Sequence, residues 1–350
     1  MCTACGLKPL PFDEDGWRTQ VEAQKEEMLY APHYEDGRYF NPWMPQEEGN
    51  FGRLLRWRFS KVQQYTEEEV TVKPGIVTGL KERIQSTNGD FITWIGHGTF
   101  FMRINGVYWL TDPMFSERAL IPKRKTQAAL TAEEVGQLTG EVNIIISHNH
   151  YDHLDTSTIR RLPVKGRTFV PRGLKKYVEG LGRDSVTEMD WWEEVEVGNG
   201  VKVVCLPAQH WSKRISQGTN RTLWASFLLV TPGVSVYYGG DSGYFVGYRE
   251  MGRKYPGIDY ALMPVTAYHP RWFMHYAHVN AKEALEGYKD LGARFFIPTQ
   301  WGTFRLGDEP IGYGINDLRA RMKEMEIAPS RVLIMDLGGL LPLRGKGDQP

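Results

Sequence analysis

The sequence predicts an α/β fold in which mixed β-sheets stack face to face beneath outer helices. Three observations lead there. From Asp90 onward, short β-branched and aromatic runs are separated by tight turns, as in Phe91 to Ile95 and Thr99 to Ile104. Further along, such runs alternate with helical patterns, the arrangement of sheets covered by helices. Finally, the apolar run Val142-Asn143-Ile144-Ile145-Ile146-Ser147 opens directly into His148-Asn149-His150-Tyr151-Asp152-His153. A buried strand therefore ends in a loop dense with ligand-type side chains.

Taken in order, residues 1 to 88 are polar, punctuated by Pro and Gly, and carry one expected helix from Trp17 to Leu29. They read as an N-terminal extension packed on a domain of residues 89 to 345. Within that domain, Phe91 to Ile95 leads to Gly96-His97-Gly98. The strands Thr99 to Ile104 and Val107 to Leu110 flank Asn105-Gly106, a strong hairpin signal. Further strands are expected at Thr168 to Val170, Val201 to Leu206, Leu223 to Val230, Val234 to Tyr238, Tyr260 to Pro264, Phe295 to Ile297 and Val332 to Met335. Helices are expected at Thr131 to Leu138, Leu174 to Leu181, Ala281 to Leu291 and Ile315 to Met325. No repeat or low-complexity tract interrupts the series.

The 350 residues suffice for a full core. With 42 basic and 42 acidic residues the net charge is zero, which argues against a nucleic-acid partner held by a broad basic face. The cysteines are Cys2, Cys5 and Cys205; the lone C-x-x-C at Cys2 and Cys5 has no second pair, so a disulfide framework is excluded and a reducing cytoplasm is expected. Asp13, Glu14 and Asp15 interrupt the start, where a leader would need an apolar run. No stretch approaches the roughly 20 apolar residues of a membrane span. The segment Phe51 to Val62 mixes apolar Phe51, Leu54, Leu55 and Val62 with Arg53, Arg56 and Lys61. It reads first as an arm docked on the domain, and second as a peripheral contact with an anionic lipid surface. A homodimer is left open.

The histidine cluster has the spacing of a two-cation site. In extended chain, residues two apart point the same way, so His148 and His150 can grip one cation. Asp152 and His153 follow a turn and can face a second. His210, just past Val201 to Leu206, completes the first set. Asp241 follows Val236-Tyr237-Tyr238-Gly239-Gly240 and can bridge both cations, the glycines letting backbone approach closely. Imidazole with carboxylate suits Zn2+, and also Mn2+ or Fe2+ at the second position. His97 reads as a turn or hydrogen-bonding residue. Asp112, before Pro113, is either a turn starter or an orienter of a ligand histidine. His269 and His275 read as rim residues.

Several stretches together resemble the metallo-β-lactamase superfamily, in particular its branch of N-acyl-phosphatidylethanolamine-hydrolysing phospholipases D. They are Phe40-Asn41-Pro42-Trp43, Thr93 to Thr99, Leu110 to Ser116, Ser147 to Asp155, Pro207 to Trp211, Gly240 to Tyr244, Pro270 to Met274 and Trp301 to Phe304. The resemblance implies a four-layer αβ/βα sandwich and hydrolysis of a phosphodiester by a metal-activated hydroxide, oriented by Asp241. It also places Ser116 and His278 near the phosphate, with His278 contacting it or protonating the leaving group. One position departs. The branch carries a histidine for the second cation before Trp-Gly-Thr-Phe, and here Gln300 stands there, able to offer only an amide oxygen. The implied substrate is a phospholipid or a smaller glycerophosphodiester. The alternatives are a lactonase of the same superfamily, related to the ascorbate-phosphate lactonases, a nuclease, disfavoured by the neutral charge, or a non-catalytic metal-binding protein.

Overall fold

A computed structural model describes residues 7–45 and 51–343. Cys2 and Cys5 lie outside the described residues. Thirteen strands build two main sheets, in chain order β1 Phe91–Gly96, β2 Thr99–Ile104, β3 Val107–Thr111, β4 Asn143–Ile145, β5 Thr168–Pro171, β6 Val186–Met189, β7 Glu194–Gly198, β8 Val201–Leu206, β9 Ser226–Val230, β10 Ser235–Tyr238, β11 Tyr260–Pro264, β12 Phe295–Thr299 and β13 Leu340–Pro342. The first sheet runs β13-β1-β2-β3-β4-β5-β6 and the second β12-β11-β10-β9-β8-β7.

Local chemistry explains the turns between them. Asn105 and Gly106 both have positive φ, 50° and 74°, as the two-residue hairpin between β2 and β3 requires. From β3 to β6, and again from β10 to β12, neighbouring strands pair in parallel. Parallel pairs need crossovers, which the helices Ala132–Leu138, Thr156–Arg161, Lys175–Glu179, Gly247–Lys254 and Ala281–Asp290 supply. Thr131 and Asn280 open their helices with reciprocal capping boxes.

Side-chain alternation divides the first sheet between two cores. Ile92, Trp94, Phe100, Met102, Trp109, Ile145 and Phe169 meet Val203, Phe227, Leu229 and Val236 of the second sheet. The alternate residues Phe91, Ile95, Phe101, Leu110 and Ile144 lie under Leu80, Val135, Ile159 and Val178 of the outer helices. This is the αβ/βα sandwich. Cys205 is buried on β8, where burial raises its thiol well above the ordinary range and keeps it protonated.

Differences from the sequence reading have local causes. Val332 to Met335 forms no strand; only Val332 bridges, to Phe296, although Val332 and Met335 are buried against the core. That bridge lies at the edge of the second sheet, while Leu340–Pro342 forms the edge of the first. The expected helix Trp17 to Leu29 is two pieces, Glu14–Glu22 and a 3-10 turn Glu26–Tyr30.

The N-terminal residues clasp the sandwich. Trp17 Nε1 donates to Glu283 (3.2 Å), Arg18 pairs with Glu286, and Val77 N–H donates to the Leu337 carbonyl (2.8 Å). The helix Phe51–Phe59 docks through Trp57, which stacks on Phe273 and donates to Asp308. Its other face leaves Leu54 41%, Leu55 40% and Phe59 64% exposed.

Candidate metal centre

The ligand-type residues sit where strands end. His97 follows β1, Asp112 follows β3, the His148–His153 loop follows β4, His210 follows β8, Asp241 follows β10 and Gln300 follows β12. The sandwich thus gathers loops from both sheets along one edge.

Two ligand-type groups form there. His148, His150, His210 and Asp241 present atoms within 4.8 Å of one another, and so do His97, Asp152 and His153. In the first group, His150 Nδ1 lies 2.8 Å from His148 Nε2 and 3.2 Å from His210 Nε2. Nitrogens on one tetrahedral zinc stand about 3.3 Å apart, given bonds of about 2.0–2.1 Å. Asp241 spans the two groups. Its Oδ2 is 3.7 Å from His148 Nε2 and 3.6 Å from His210 Nε2, while its Oδ1 is 3.2 Å from His153 Nε2.

The donor set fits a cation. His153 Nε2, which faces Asp152 and Asp241, is buried and without a hydrogen-bond partner among the described residues. Burial lowers the pKa of His148 and His210 well below the imidazole range and that of His150 to about 4, which leaves all three neutral and able to ligate. His153 behaves oppositely: burial opposes its charge, but Asp241, Asp152 and Asp112 outweigh burial and raise its pKa well above the usual value. Asp152 and Asp241 are held well below the carboxylate range, burial being overcome chiefly by His153. Three carboxylates enclosed with no arginine or lysine among them call for positive charge, from a proton or from a metal.

An outer layer fixes the rings. Asp112 accepts from Ser147 N–H (2.7 Å), Ser147 Oγ (2.6 Å) and Tyr238 OH (2.6 Å), and pairs with His153 Nδ1 (2.6 Å). His210 Nδ1 faces the Ala277 carbonyl (3.1 Å), and Asn41 Nδ2 donates to the His210 carbonyl (3.0 Å). Asn41 was not singled out by spacing, since its role depends on the arm folding back. Gly98 is needed for close approach: a Cβ there would meet the Tyr238 hydroxyl at 2.6 Å. Gly240 has φ 57° and would meet Ser147 Cβ at 2.7 Å.

The remaining candidates divide. Gln300 reaches the centre but turns its nitrogen inward, donating to the Gly240 carbonyl (3.0 Å) and Asp241 Oδ1 (2.7 Å). Both partners only accept, so the amide cannot flip to present its oxygen without setting oxygen against oxygen. Where an oxygen ligand was expected, Gln300 here presents its amide nitrogen as a hydrogen-bond donor. His278 lies beside His210, ring centroids 5.3 Å apart, with a buried Nδ1. Burial lowers its pKa, so near neutral pH the ring is neutral. Ser116 is on the loop after β3, its N–H donating to Asp155 (3.1 Å); no hydrogen bond among the described residues joins its hydroxyl to either group. His269 Nδ1 contacts Tyr65 OH (2.9 Å) and His275 lies edge-on to Trp17, both away from the metal groups.

Sandwich and site together define a metal-dependent hydrolase. The chain belongs to the metallo-β-lactamase superfamily: the beta-lactamase superfamily domain matches residues 108–301, more than half its length. It is 38% identical over 239 residues to N-acyl-phosphatidylethanolamine-hydrolyzing phospholipase D 1 of Caenorhabditis elegans, covering 63% of this chain and 66% of that protein. It is 37% identical over 248 residues to the mitochondrial N-acyl-phosphatidylethanolamine-hydrolyzing phospholipase D of Saccharomyces cerevisiae, covering 67% and 52%. The chain therefore spans just under two thirds of the first relative's length and about half of the second's. Among solved structures, Igni18, a metallo hydrolase from the archaeon Ignicoccus hospitalis, superposes with a TM-score of 0.57 at 20% identity, covering 73% of this chain and 99% of that one. That likeness shows the fold. No helix among the described residues is long and apolar enough to cross a membrane.

Proposed function

We propose that this chain hydrolyses a phosphodiester, on an N-acylated phosphatidylethanolamine or a related glycerophospholipid. The observation that carries the reading is Asp241, one oxygen toward the three-histidine group and the other toward His153. Divalent cations held there, of which Zn2+ suits the donors best, would make water nucleophilic near neutral pH and draw charge from a phosphoryl oxygen.

The chain's own residues do the rest. His148, His150 and His210 stay neutral through burial and keep lone pairs available. Asp241, held by the Gln300 amide, would orient the attacking water. His278, beside His210, would donate a hydrogen bond to a phosphate oxygen.

Two features support a lipid substrate: the similarity to the two phospholipases and the exposed apolar face of the helix Phe51–Phe59. That face carries Leu54, Leu55 and Phe59, with Arg58 among them and Lys61 just beyond, a composition that suits an anionic bilayer surface. The helix docks beside Trp272 and Phe273, on the segment leading to His278.

The test is product release. Metal-loaded protein given N-acyl-phosphatidylethanolamine in vesicles is expected to release phosphatidic acid and N-acylethanolamine, and to leave a panel of lactones intact. Lactone opening with no phosphatidic acid would replace this reading with carbonyl hydrolysis.

A further inference from the structure

The position that would complete the second cation site is occupied by a donor. Gln300 commits its amide hydrogens to Gly240 and Asp241 and offers that site no lone pair. Yet a second group forms, and its third member is His97. His97 Nε2 lies 2.9 Å from Asp152 Oδ2, which in turn lies 3.2 Å from His153 Nε2.

His97 is built into this position rather than left in a turn. Its side chain is fully buried, and its backbone is left-handed at φ 51°, a costly conformation for a residue with a Cβ. Three tethers hold it: its N–H donates to Thr303 Oγ1 (2.8 Å), and its carbonyl accepts from Trp94 Nε1 (2.8 Å) and from the Gln300 N–H (3.2 Å). The ring is wedged edge-on between His153 and Phe304, at centroid distances of 5.1 and 5.3 Å. The buried Nδ1 has no hydrogen-bond partner among the described residues. Gln300, itself left-handed at φ 70°, thus anchors the backbone of a further imidazole that reaches the group.

We propose that His97 supplies the imidazole for the second cation, making a site of His97, Asp152 and His153 with Asp241 shared, selective for a borderline divalent ion such as Zn2+. Gln300 is then a positioning residue that holds Asp241 and His97. The inference rests on the metal-hydrolase reading but not on which ester is cleaved.

Co2+ is the probe. Stripped wild-type protein is expected to bind two Co2+ per chain, and its spectrum to show hyperfine-shifted N–H signals from five imidazoles, three of the first group and two of the second. His97→Gln keeps a donor for Asp152 but removes the imidazole. It is expected to bind the first Co2+ unchanged and the second more than about 100-fold more weakly, beyond the roughly 10- to 100-fold cost of losing an outer partner. Adding Gln300→His is expected to restore the second ion. A wild-type protein that binds one Co2+, a four-imidazole spectrum with two bound, or a His97→Gln variant with unchanged second-site affinity would each overturn the proposal. Where the variants do not fold, the wild-type stoichiometry and signal count decide it. Two Co2+ bound with the five-imidazole spectrum but no phosphodiester hydrolysis would leave this inference standing while overturning the function above.

Discussion

Asp112 Oδ2 lies 2.6 Å from His153 Nδ1, so the opposite nitrogen of that ring faces Asp152 and Asp241. The same carboxylate accepts from Ser147 and Tyr238, which ties β3, β4 and β10 together at the site. A carboxylate behind a ligand imidazole sets its tautomer and strengthens it as a ligand.

Asp112→Asn is therefore expected to weaken cation binding at His153 by about 10- to 100-fold. An amide has one accepting oxygen where the carboxylate serves several donors. Titration with Zn2+ measures it; an unchanged second-site affinity would mean that the ring is held by packing alone.

Asn41 brings the arm into the centre. Its amide donates to the His210 carbonyl and Tyr276 OH and accepts from Trp224 Nε1. Asn41→Ala leaves buried groups unpaired and is expected to cost about 1–3 kcal/mol of stability, with weaker first-site binding. Denaturant unfolding and metal titration check the two effects separately.

For the helix Phe51–Phe59, replacing Leu55 and Phe59 by Ser removes apolar side chains worth about 1.5–3 kcal/mol each when fully buried. Partition onto anionic vesicles is expected to fall about 4- to 12-fold per residue, taking half that burial at a bilayer. Hydrolysis of vesicle lipid should fall more than that of a short-chain monomer. Equal losses on both would count against a lipid-docking role.

Glu309 gives a pH signature away from the site. It is buried, and burial raises its carboxyl to about 7 against the backbone N–H donors at Tyr268 and His269 that favour the charge. The folded chain thus keeps a proton that the unfolded chain loses from about pH 4.5. Stability from this group falls as pH rises through 7. Between pH 5 and 8, the wild type should lose about 3 kcal/mol relative to Glu309→Gln. Parallel unfolding curves across that window would contradict this.

Much of the centre was legible because its chemistry is contiguous. His148, His150, Asp152 and His153 follow one buried strand, and His210 and Asp241 each follow another. His97 was not separable from a turn, since Gly-His-Gly describes both equally well and only the packing of Thr303 and Phe304 aims the ring. The orientation of Gln300 depends on the Gly240 carbonyl across the sandwich, which no spacing reveals. Strands β6 and β7 escaped notice because Val186–Met189 and Glu194–Gly198 lie toward a sheet edge, short or interleaved with charge. Val332 to Met335 shows the converse: an apolar run can be buried without joining a ladder.

The most direct measurement is hydrolysis of N-acyl-phosphatidylethanolamine by metal-loaded protein in water enriched in heavy oxygen. The account predicts the label in the phosphate of phosphatidic acid, lost on chelation and restored by Zn2+. Label in the N-acylethanolamine, or hydrolysis that survives complete metal removal, would contradict attack on phosphorus by water activated at this centre.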